Sequence, residues 1–220
     1  MNRAVSLLTI VFFGYFLAST CANGQSQESV KDPNFIKSID VAGEYIDSLH
    51  SVWKVPGLSI TVSVNNKIVW SEGFGYANEE DRILADLNTK FRIGSISKTL
   101  TAIGLGKLIQ EGKLSLDENA LNYVPEFPEK RYPFTVRHLA THQSGIPHYG
   151  LGDLLANRDH YSSVTQSLEV FDRRKLKFEP GTDFQYSSYG YVLLSAVIEG
   201  ATGMPYLEYM KNEVFEPLGS

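Results

Sequence analysis

The apolar residues in the first third of the chain change from helical to strand-like spacing. Over residues 35–53 they recur three and four positions apart, which predicts an amphipathic helix ended by a Pro-Gly pair. Over residues 58–64 apolar and polar residues alternate strictly. The turn dipeptide Asn65-Asn66 and a second run of strand-forming residues follow. The pattern therefore predicts a β-hairpin over residues 58–73.

Beyond residue 92 the apolar spacing is mainly helical. One helix is predicted to begin near Ser95 and to stop at Gly112, and Thr135 is a good N-cap for a short helix. We predict the remaining helices over residues 150–175 (one or two, polar and exposed), 191–203 and 206–215. The chain is therefore predicted to be α+β, with an N-terminal β-hairpin followed by a largely helical domain.

Composition narrows the class of protein. The chain has 220 residues, 43% of them hydrophobic, which suits one domain or slightly more with a real core. A net charge of -5 carries no electrostatic footprint for nucleic acid. With one cysteine, Cys21, the chain has neither an intrachain disulfide framework nor a cysteine zinc site.

The first 22 residues have the layout of a secretory signal peptide. An apolar run over residues 4–18 follows Arg3 and is followed by small residues up to Ala22. Alternatively the run is a retained membrane anchor, although it is shorter than the roughly 20 residues that span a bilayer. A mitochondrial presequence is disfavoured because the segment has one arginine and no amphipathic pattern.

These features define the expected organisation. We expect a signal peptide over residues 1–22, a flexible polar leader over 23–34 and one domain over 35–220. The mature protein is then secreted or periplasmic and has no stable membrane span. Its oligomeric state is left open.

Ser95 and Lys98 stand three positions apart at the predicted start of a helix. Positions i and i+3 share one helix face, so the hydroxyl and the amine can meet. A serine becomes a nucleophile when a base takes its proton, and a lysine of lowered pKa can be that base. Free N–H groups of the first turn can stabilise an oxyanion. The same spacing at Ser51 and Lys54 falls at a helix end. The alternative interpretation is an ordinary N-cap beside a solvated lysine.

A second candidate element is the loop over residues 180–191, which opens onto an apolar helix. The phenol of Tyr186, if close to a lysine ammonium, can act as a general base or proton relay. Ser188 can hydrogen-bond that lysine or a substrate carbonyl. The same Tyr-Ser-Ser pattern at Tyr161 lacks the neighbouring apolar helix. The alternative for Tyr186 is an aromatic side chain that packs under a helix start.

Together these two segments resemble the serine β-lactamase and penicillin-binding protein superfamily, whose nucleophile motif is Ser-x-x-Lys. The likeness is closer to the branch of class C β-lactamases, D-alanyl-D-alanine peptidases and esterases. Its second motif is Tyr-x-Asn, and here Ser188 stands in place of the asparagine. The nearest family resembled is that of the serine β-lactamase-like proteins of animal mitochondria and their bacterial relatives. Residues 69–77, 123–130, 144–149 and 206–210 add to this likeness.

This resemblance implies a β-lactamase/transpeptidase-like fold and a serine hydrolase without a cofactor. The substrate would be a small molecule or peptide with an amide, peptide or ester bond. Ser95 would form the acyl-enzyme, and its backbone N–H would supply half of the oxyanion hole. Lys98 and Tyr186 would share the proton transfers, and Ser188 would support Lys98.

The third motif of the family is a basic residue or His, then Thr or Ser, then Gly. Residues 187–220 contain none. We therefore expect the C-terminal strands of the family's sheet to be missing and the domain to be truncated. The alternative function is a catalytically incomplete or non-catalytic binding module that retains the scaffold.

Three histidines, His138, His142 and His148, are spaced at four and six positions. The first two can share a helix face, as metal ligands can. No Glu stands between them in a His-Glu-x-x-His arrangement, so packing or capping is predicted and no metal site is expected.

Overall fold

The computed structural model describes residues 29–156 and 160–219. Its contacts divide the chain into two compact units, Met1–Phe91 and Arg92–Ser220. The expected signal peptide lies outside the described residues. Among the residues that are described, no helix is both long and apolar enough to cross a membrane.

In residues 29–91, the described part of the first unit, the chain forms one α-helix and an antiparallel sheet. Helix α1 (Ile36–Trp53) ends where Lys54 takes left-handed geometry and donates its N–H to the His50 carbonyl. The elements of the sheet are β1 (Val30–Lys31), β2 (Gly57–Val64), β3 (Lys67–Asn78) and β4 (Ile83–Leu84). Strands β2 and β3 form the predicted hairpin, in which Asn65 and Asn66 both have positive φ (51° and 62°). That geometry is typical of the tight turns that asparagine tolerates.

Two strands and a turn were not predicted. Strand β1 and the 3-10 turn Pro33–Phe35 lie where the sequence indicated an unstructured leader, of which residues 23–28 are outside the described chain. Strand β1 pairs with β3, and β4 pairs with the far end of β3. Strands β1 and β4 have two residues each, which is too few to show an alternating pattern.

The predicted apolar face of α1 is only partly buried. Ile39 is buried, and Ala42, Ile46 and Leu49 are half-buried. Trp53, at the end of the predicted stripe, is 72% exposed. The helical period was therefore correct, and the prediction of a buried face was wrong at both ends of the helix, because Ile36 in the first turn is also exposed.

The second unit is helical in its described residues. Its α-helices are α2 (Ile96–Gln110), α3 (Val136–Ala140), α4 (Leu151–Ala156), α5 (Val164–Ser167), α6 (Ser188–Thr202) and α7 (Tyr206–Met210). Its 3-10 turns are Ala120–Asn122, Leu168–Val170 and Glu216–Leu218, and a π-helical turn, Lys211–Phe215, continues α7. The predicted last helix over residues 206–215 is therefore α7 and this turn.

Helix α6 is at the centre of this unit. Eight of its residues are buried, as expected for a helix that is apolar around most of its circumference. It ends at Gly203, whose φ of 67° suits a glycine C-cap. The core also includes Leu105 and Leu108 of α2. The packing of α2 against α6 therefore fixes the positions of the two helix starts relative to each other.

The segment over residues 150–175 differs from its prediction. It contains short helices, and two of its side chains, Leu168 and Phe171, are buried rather than exposed. The Phe171 ring stacks on Tyr189 at 4.4 Å between centroids. Val164, Leu168 and Phe171 are spaced four and three positions apart, so the sequence carries a helical stripe here that the prediction of an exposed segment missed.

Candidate active site

Helix α2 begins near Ser95, as predicted, and Ser95 occupies its N-cap position. The Ser95 side chain makes no capping hydrogen bond. The interpretation of Ser95 as an ordinary side-chain N-cap is therefore wrong. The neighbouring Ser97 hydroxyl donates to the Gly94 carbonyl at 2.7 Å instead. Gly94 has a φ of 53°, which favours glycine at the turn that leads into the helix. This local geometry leaves the Ser95 hydroxyl available to other partners.

Two side chains contact the Ser95 hydroxyl, and Ser188 joins the group through Lys98. Tyr186 donates its phenolic hydrogen to Ser95 Oγ at 2.8 Å. Lys98 Nζ donates to Ser95 Oγ at 3.3 Å and to Ser188 Oγ at 3.1 Å. The structure thus brings together all four residues that the sequence singled out. Two come from the start of α2 and two from the start of α6.

The charge of Lys98 changes the acidity of the phenol. Its ammonium lies 4.9 Å from the centre of the Tyr186 ring. The interaction with Lys98, followed by the hydrogen bond with Ser95, lowers the pKa of Tyr186 below its usual range. A nearby cation favours the phenolate, so Tyr186 can serve as a proton acceptor closer to neutral pH.

The backbone N–H of Ser95 is not taken by any acceptor among the described residues. It lies at the N-terminus of the 15-residue helix α2. The positive end of a helix favours negative charge. An N–H group in this position can stabilise the oxyanion that develops when a hydroxyl attacks a carbonyl.

Ser187 fixes the start of α6 between Tyr186 and Ser188. Its side chain is the N-cap of the helix: Ser187 Oγ accepts the N–H of Gly190 at 2.8 Å and donates to the Pro147 carbonyl at 3.0 Å. The residue is 1% exposed. Both hydrogen-bonding directions of a buried hydroxyl are thus used, which holds the flanking Tyr186 and Ser188 in place.

The three histidines accept backbone N–H groups. His138 Nδ1 accepts from Thr135 in a capping box at the start of α3. His142 and His148 accept from Ser187 and Ser188 in the same way. Packing or capping was predicted for them, and it is confirmed by the capping box of His138 and by the ring contacts of His142 and His148 with Tyr186. The contacts of His142 and His148 with the candidate active site were not predicted, because the spacing of residues along the chain does not show which backbone N–H each ring contacts.

Among the described residues, no three His, Cys, Asp or Glu side chains lie close enough together to hold a metal ion.

The second Ser-x-x-Lys sequence shows why position within the helix matters. Ser51 Oγ donates to the Ser48 carbonyl, inside the last turns of α1. Lys54 follows the helix in left-handed geometry. The Ser-x-x-Lys spacing alone therefore does not bring serine and lysine into contact. The contact of Ser95 with Lys98 occurs at a helix start, beside the loop that carries Tyr186.

The chain belongs to the beta-lactamase family. Residues 47–220 match the family described as Beta-lactamase. Human "Serine beta-lactamase-like protein LACTB, mitochondrial" is 32% identical over 81% of this chain and 45% of the relative. "Penicillin-binding protein 4*" of Bacillus subtilis is 34% identical over 73% of this chain and 36% of the relative. The chain thus spans less than half the length of these curated relatives.

Solved structures show the same fold. The octameric penicillin-binding protein homologue from Pyrococcus abyssi is 35% identical and has a TM-score of 0.72, covering 82% of this chain and 43% of its own. The D-amino acid amidase from Ochrobactrum anthropi is 29% identical with a TM-score of 0.66, covering 77% and 47%. The resemblance and the β-lactamase/transpeptidase-like fold are confirmed, and they place the chain in a superfamily of serine hydrolases.

Proposed function

We propose that this protein is a serine hydrolase that forms an acyl-enzyme at Ser95. The observation that supports this most directly is the pair of hydrogen bonds on Ser95 Oγ, one from Tyr186 at 2.8 Å and one from Lys98 at 3.3 Å. A hydroxyl with a phenol and an amine in contact has the proton acceptor that a serine nucleophile needs.

Acylation follows from the same contacts. When Tyr186 has lost its proton, the 2.8 Å contact reverses and the Ser95 hydroxyl donates to the phenolate. As Oγ attacks the substrate carbonyl carbon, its proton passes to Tyr186 and the carbonyl electron pair moves onto oxygen. The Ser95 N–H stabilises that oxyanion. When the tetrahedral intermediate collapses, the bond to the leaving group breaks and Tyr186 returns the proton to it.

Deacylation repeats the sequence with water as nucleophile. Tyr186 takes a proton from water, whose oxygen attacks the acyl carbon, and Ser95 Oγ leaves with the proton returned to it. Lys98, whose Nζ lies 4.9 Å from the centre of the Tyr186 ring, stabilises the phenolate in both steps. Ser188 Oγ accepts a hydrogen bond from Lys98 Nζ at 3.1 Å and so orients the Lys98 side chain towards Ser95 Oγ.

The substrate class that we propose is a small molecule or peptide with an amide, peptide or ester bond. The described neighbours include a D-amino acid amidase and "EstCE1, a hydrolase with promiscuous acyltransferase activity". We propose that this chain likewise hydrolyses a bond of this class, without naming one substrate. No cofactor is part of the proposed reaction.

A covalent probe tests the proposal. We expect a fluorophosphonate or a fluorescent penicillin to label the full chain once, with the adduct on Ser95 by peptide mass spectrometry. Ser95→Ala should abolish labelling, whereas Ser51→Ala, at the second Ser-x-x-Lys sequence, should label normally. A cooperatively folded protein that neither probe labels would contradict the proposal and favour the non-catalytic binding module.

We also propose that residues 1–22 act as a secretory signal, because a short apolar run is followed by small residues. The intact mass of protein recovered from the secreted fraction tests this. We expect a chain that begins at Asn23. A secreted chain that still contains residues 4–18, or retention of that chain in the membrane fraction, would contradict the proposal.

A further inference from the structure

Two histidines receive the backbone N–H groups of consecutive residues in the candidate active site. Ser187 N–H donates to His142 Nδ1 at 3.2 Å, and Ser188 N–H donates to His148 Nδ1 at 3.0 Å. A backbone N–H can only donate, so each Nδ1 must present its lone pair. Both neutral imidazoles therefore carry their proton on Nε2.

The same two rings also lie against the phenol of Tyr186. The His142 and Tyr186 ring centres are 4.6 Å apart, and those of His148 and Tyr186 are 5.5 Å apart. His142 is itself fixed from the other side, because its carbonyl accepts the N–H of Gln185 at 3.0 Å. The histidines thus hold the chain immediately before and after Tyr186 and contact its side chain.

We propose that His142 and His148 are positioning residues, which hold Tyr186 and Ser188 against Ser95 and Lys98 only while both imidazoles are neutral. This inference rests on the proposed function, for which it supplies the pH limit. Protonation would place an N–H at Nδ1, facing a backbone N–H. The hydrogen bond would then be lost and two donors would oppose each other.

The surroundings of both rings favour the neutral form. His142 faces Lys98, His148, Tyr186 and Tyr191, and burial, then Lys98, then His148 lower its pKa. Burial and then Lys98 likewise lower the pKa of His148 below its usual range.

The wider environment of His148 contains further charged groups. Tyr149 and Tyr186 contact its ring. The adjoining cavity is also lined by Asp153, Arg174, Lys175 and Lys177. The one carboxylate among them, Asp153, accepts two hydrogen bonds from Arg174, at 2.6 and 3.0 Å. The Asp153 carboxylate is therefore paired with the Arg174 guanidinium, and Lys98 is the charged group that acts on the His148 ring.

Nuclear magnetic resonance of the full chain tests the contact without depending on activity. We expect both imidazoles to be Nε2–H tautomers at pH 7.5. On acidification the amide signals of Ser187 and Ser188 should shift with the same midpoints as His142 and His148, below pH 6.5. Amide signals that stay constant while the rings titrate would overturn the inference.

Paired variants test the consequence for acylation. Asparagine offers a side-chain oxygen near the position of Nδ1 and does not titrate, whereas leucine offers no acceptor. For His148→Asn we expect an acylation rate near that of the unmodified protein at pH 8 and a smaller decline towards pH 5.5. For His148→Leu we expect a loss of about tenfold to a hundredfold at every pH, the scale of a displaced catalytic group. The same pair at His142 should behave alike.

The control is His160→Asn, since His160 is exposed and makes no hydrogen bond among the described residues. Its pH profile should match that of the unmodified chain. A His148→Leu variant that acylates normally at pH 8, or a His148→Asn variant with an unchanged acid limb, would overturn the positioning role. If the unmodified chain acylates no probe but the amide signals follow the rings, the proposed function fails and the contact is still established.

Discussion

Tyr186 donates to Ser95 Oγ at 2.8 Å although 91 positions separate the two residues. The starts of helices α2 and α6 carry these side chains. The meeting point is set by the core beneath, in which Leu105 of α2 and Leu193 of α6 belong to one buried cluster. A site that needs proton transfer over hydrogen-bond distance thus depends on the packing of two long helices.

Removal of the phenolic hydroxyl tests the role of Tyr186. We expect Tyr186→Phe to lower the acylation rate about 10²- to 10⁴-fold, the usual contribution of a general base. The melting temperature should change little, because the side chain is 40% exposed and the ring remains. Tyr45→Phe is the matched control: Tyr45 is 65% exposed in the first unit, and its loss should leave the rate unchanged. A fully active Tyr186→Phe protein would assign the base to Lys98 alone.

Removal of the ammonium tests the electrostatic link. Lys98→Met keeps the length of the side chain and removes the charge that lowers the pKa of Tyr186. We expect the pKa of Tyr186 to rise towards the ordinary value of about 10, measured by spectrophotometric titration as a difference from the unmodified chain. The acylation rate should fall as the pKa of Tyr186 rises.

The control for that experiment is Lys54→Met, at the second Ser-x-x-Lys sequence, which should leave both the titration and the rate unaltered. An unchanged Tyr186 titration in Lys98→Met would show that the ammonium does not act on the phenol.

Packing around α6 makes one glycine irreplaceable. A Cβ on Gly200 would collide with the carbonyl group of Tyr123. We expect Gly200→Ala to destabilise the fold by about 1–3 kcal/mol, as overpacking does, in chemical denaturation. Gly106→Ala in α2 meets no atom within 4 Å and should stabilise by up to about 1 kcal/mol. Equal effects at the two positions would contradict the close approach at Gly200.

The ion pair of Asp153 and Arg174 predicts a pH dependence of stability. The hydrogen bonds from Arg174, and then that from the Gly150 N–H, lower the pKa of Asp153 from 3.8 to about 2. A depressed carboxyl pKa stabilises the folded state above the unfolded value, and this contribution is lost as pH falls from about 4 towards 2. Asp153→Asn should therefore lower the melting temperature at pH 6 and have little effect near pH 2.

The control, Glu169→Gln, replaces an exposed carboxyl that makes no ion pair among the described residues, and it should leave the melting temperature unchanged. If Asp153→Asn lowered the melting temperature equally near pH 2 and at pH 6, the ion pair would not act through its charge.

Much of the local structure could be predicted because it depends on neighbouring residues. Helical periodicity identified α1, α2 and α6, and strict alternation identified the hairpin of β2 and β3. The Ser95–Lys98 pair was accessible for the same reason, since i and i+3 residues share a helix face. The joining of Tyr186 to this pair was anticipated from a resemblance, because no local spacing relates residues so far apart.

Other features were not predicted. Strands β1 and β4 have two residues each, too few to show an alternating pattern, and β1 pairs with a part of β3 that is remote in sequence. Leu168 and Phe171 continue a spacing of four and three positions from Val164, and the prediction of an exposed segment missed this stripe, which enters the core.

Short stretches of the sequence determine which reactive side chains the chain carries. Ser95 and Lys98 are one helical turn apart, and Tyr186 precedes an apolar helix. The arrangement of these side chains was decided by tertiary packing. The core of α2 and α6 brings Tyr186 to Ser95, and the loop after α3 brings His142 and His148 to the N–H groups of Ser187 and Ser188. A hydrogen bond depends on distance and direction in space, and residues remote in sequence acquire both only when the chain is packed.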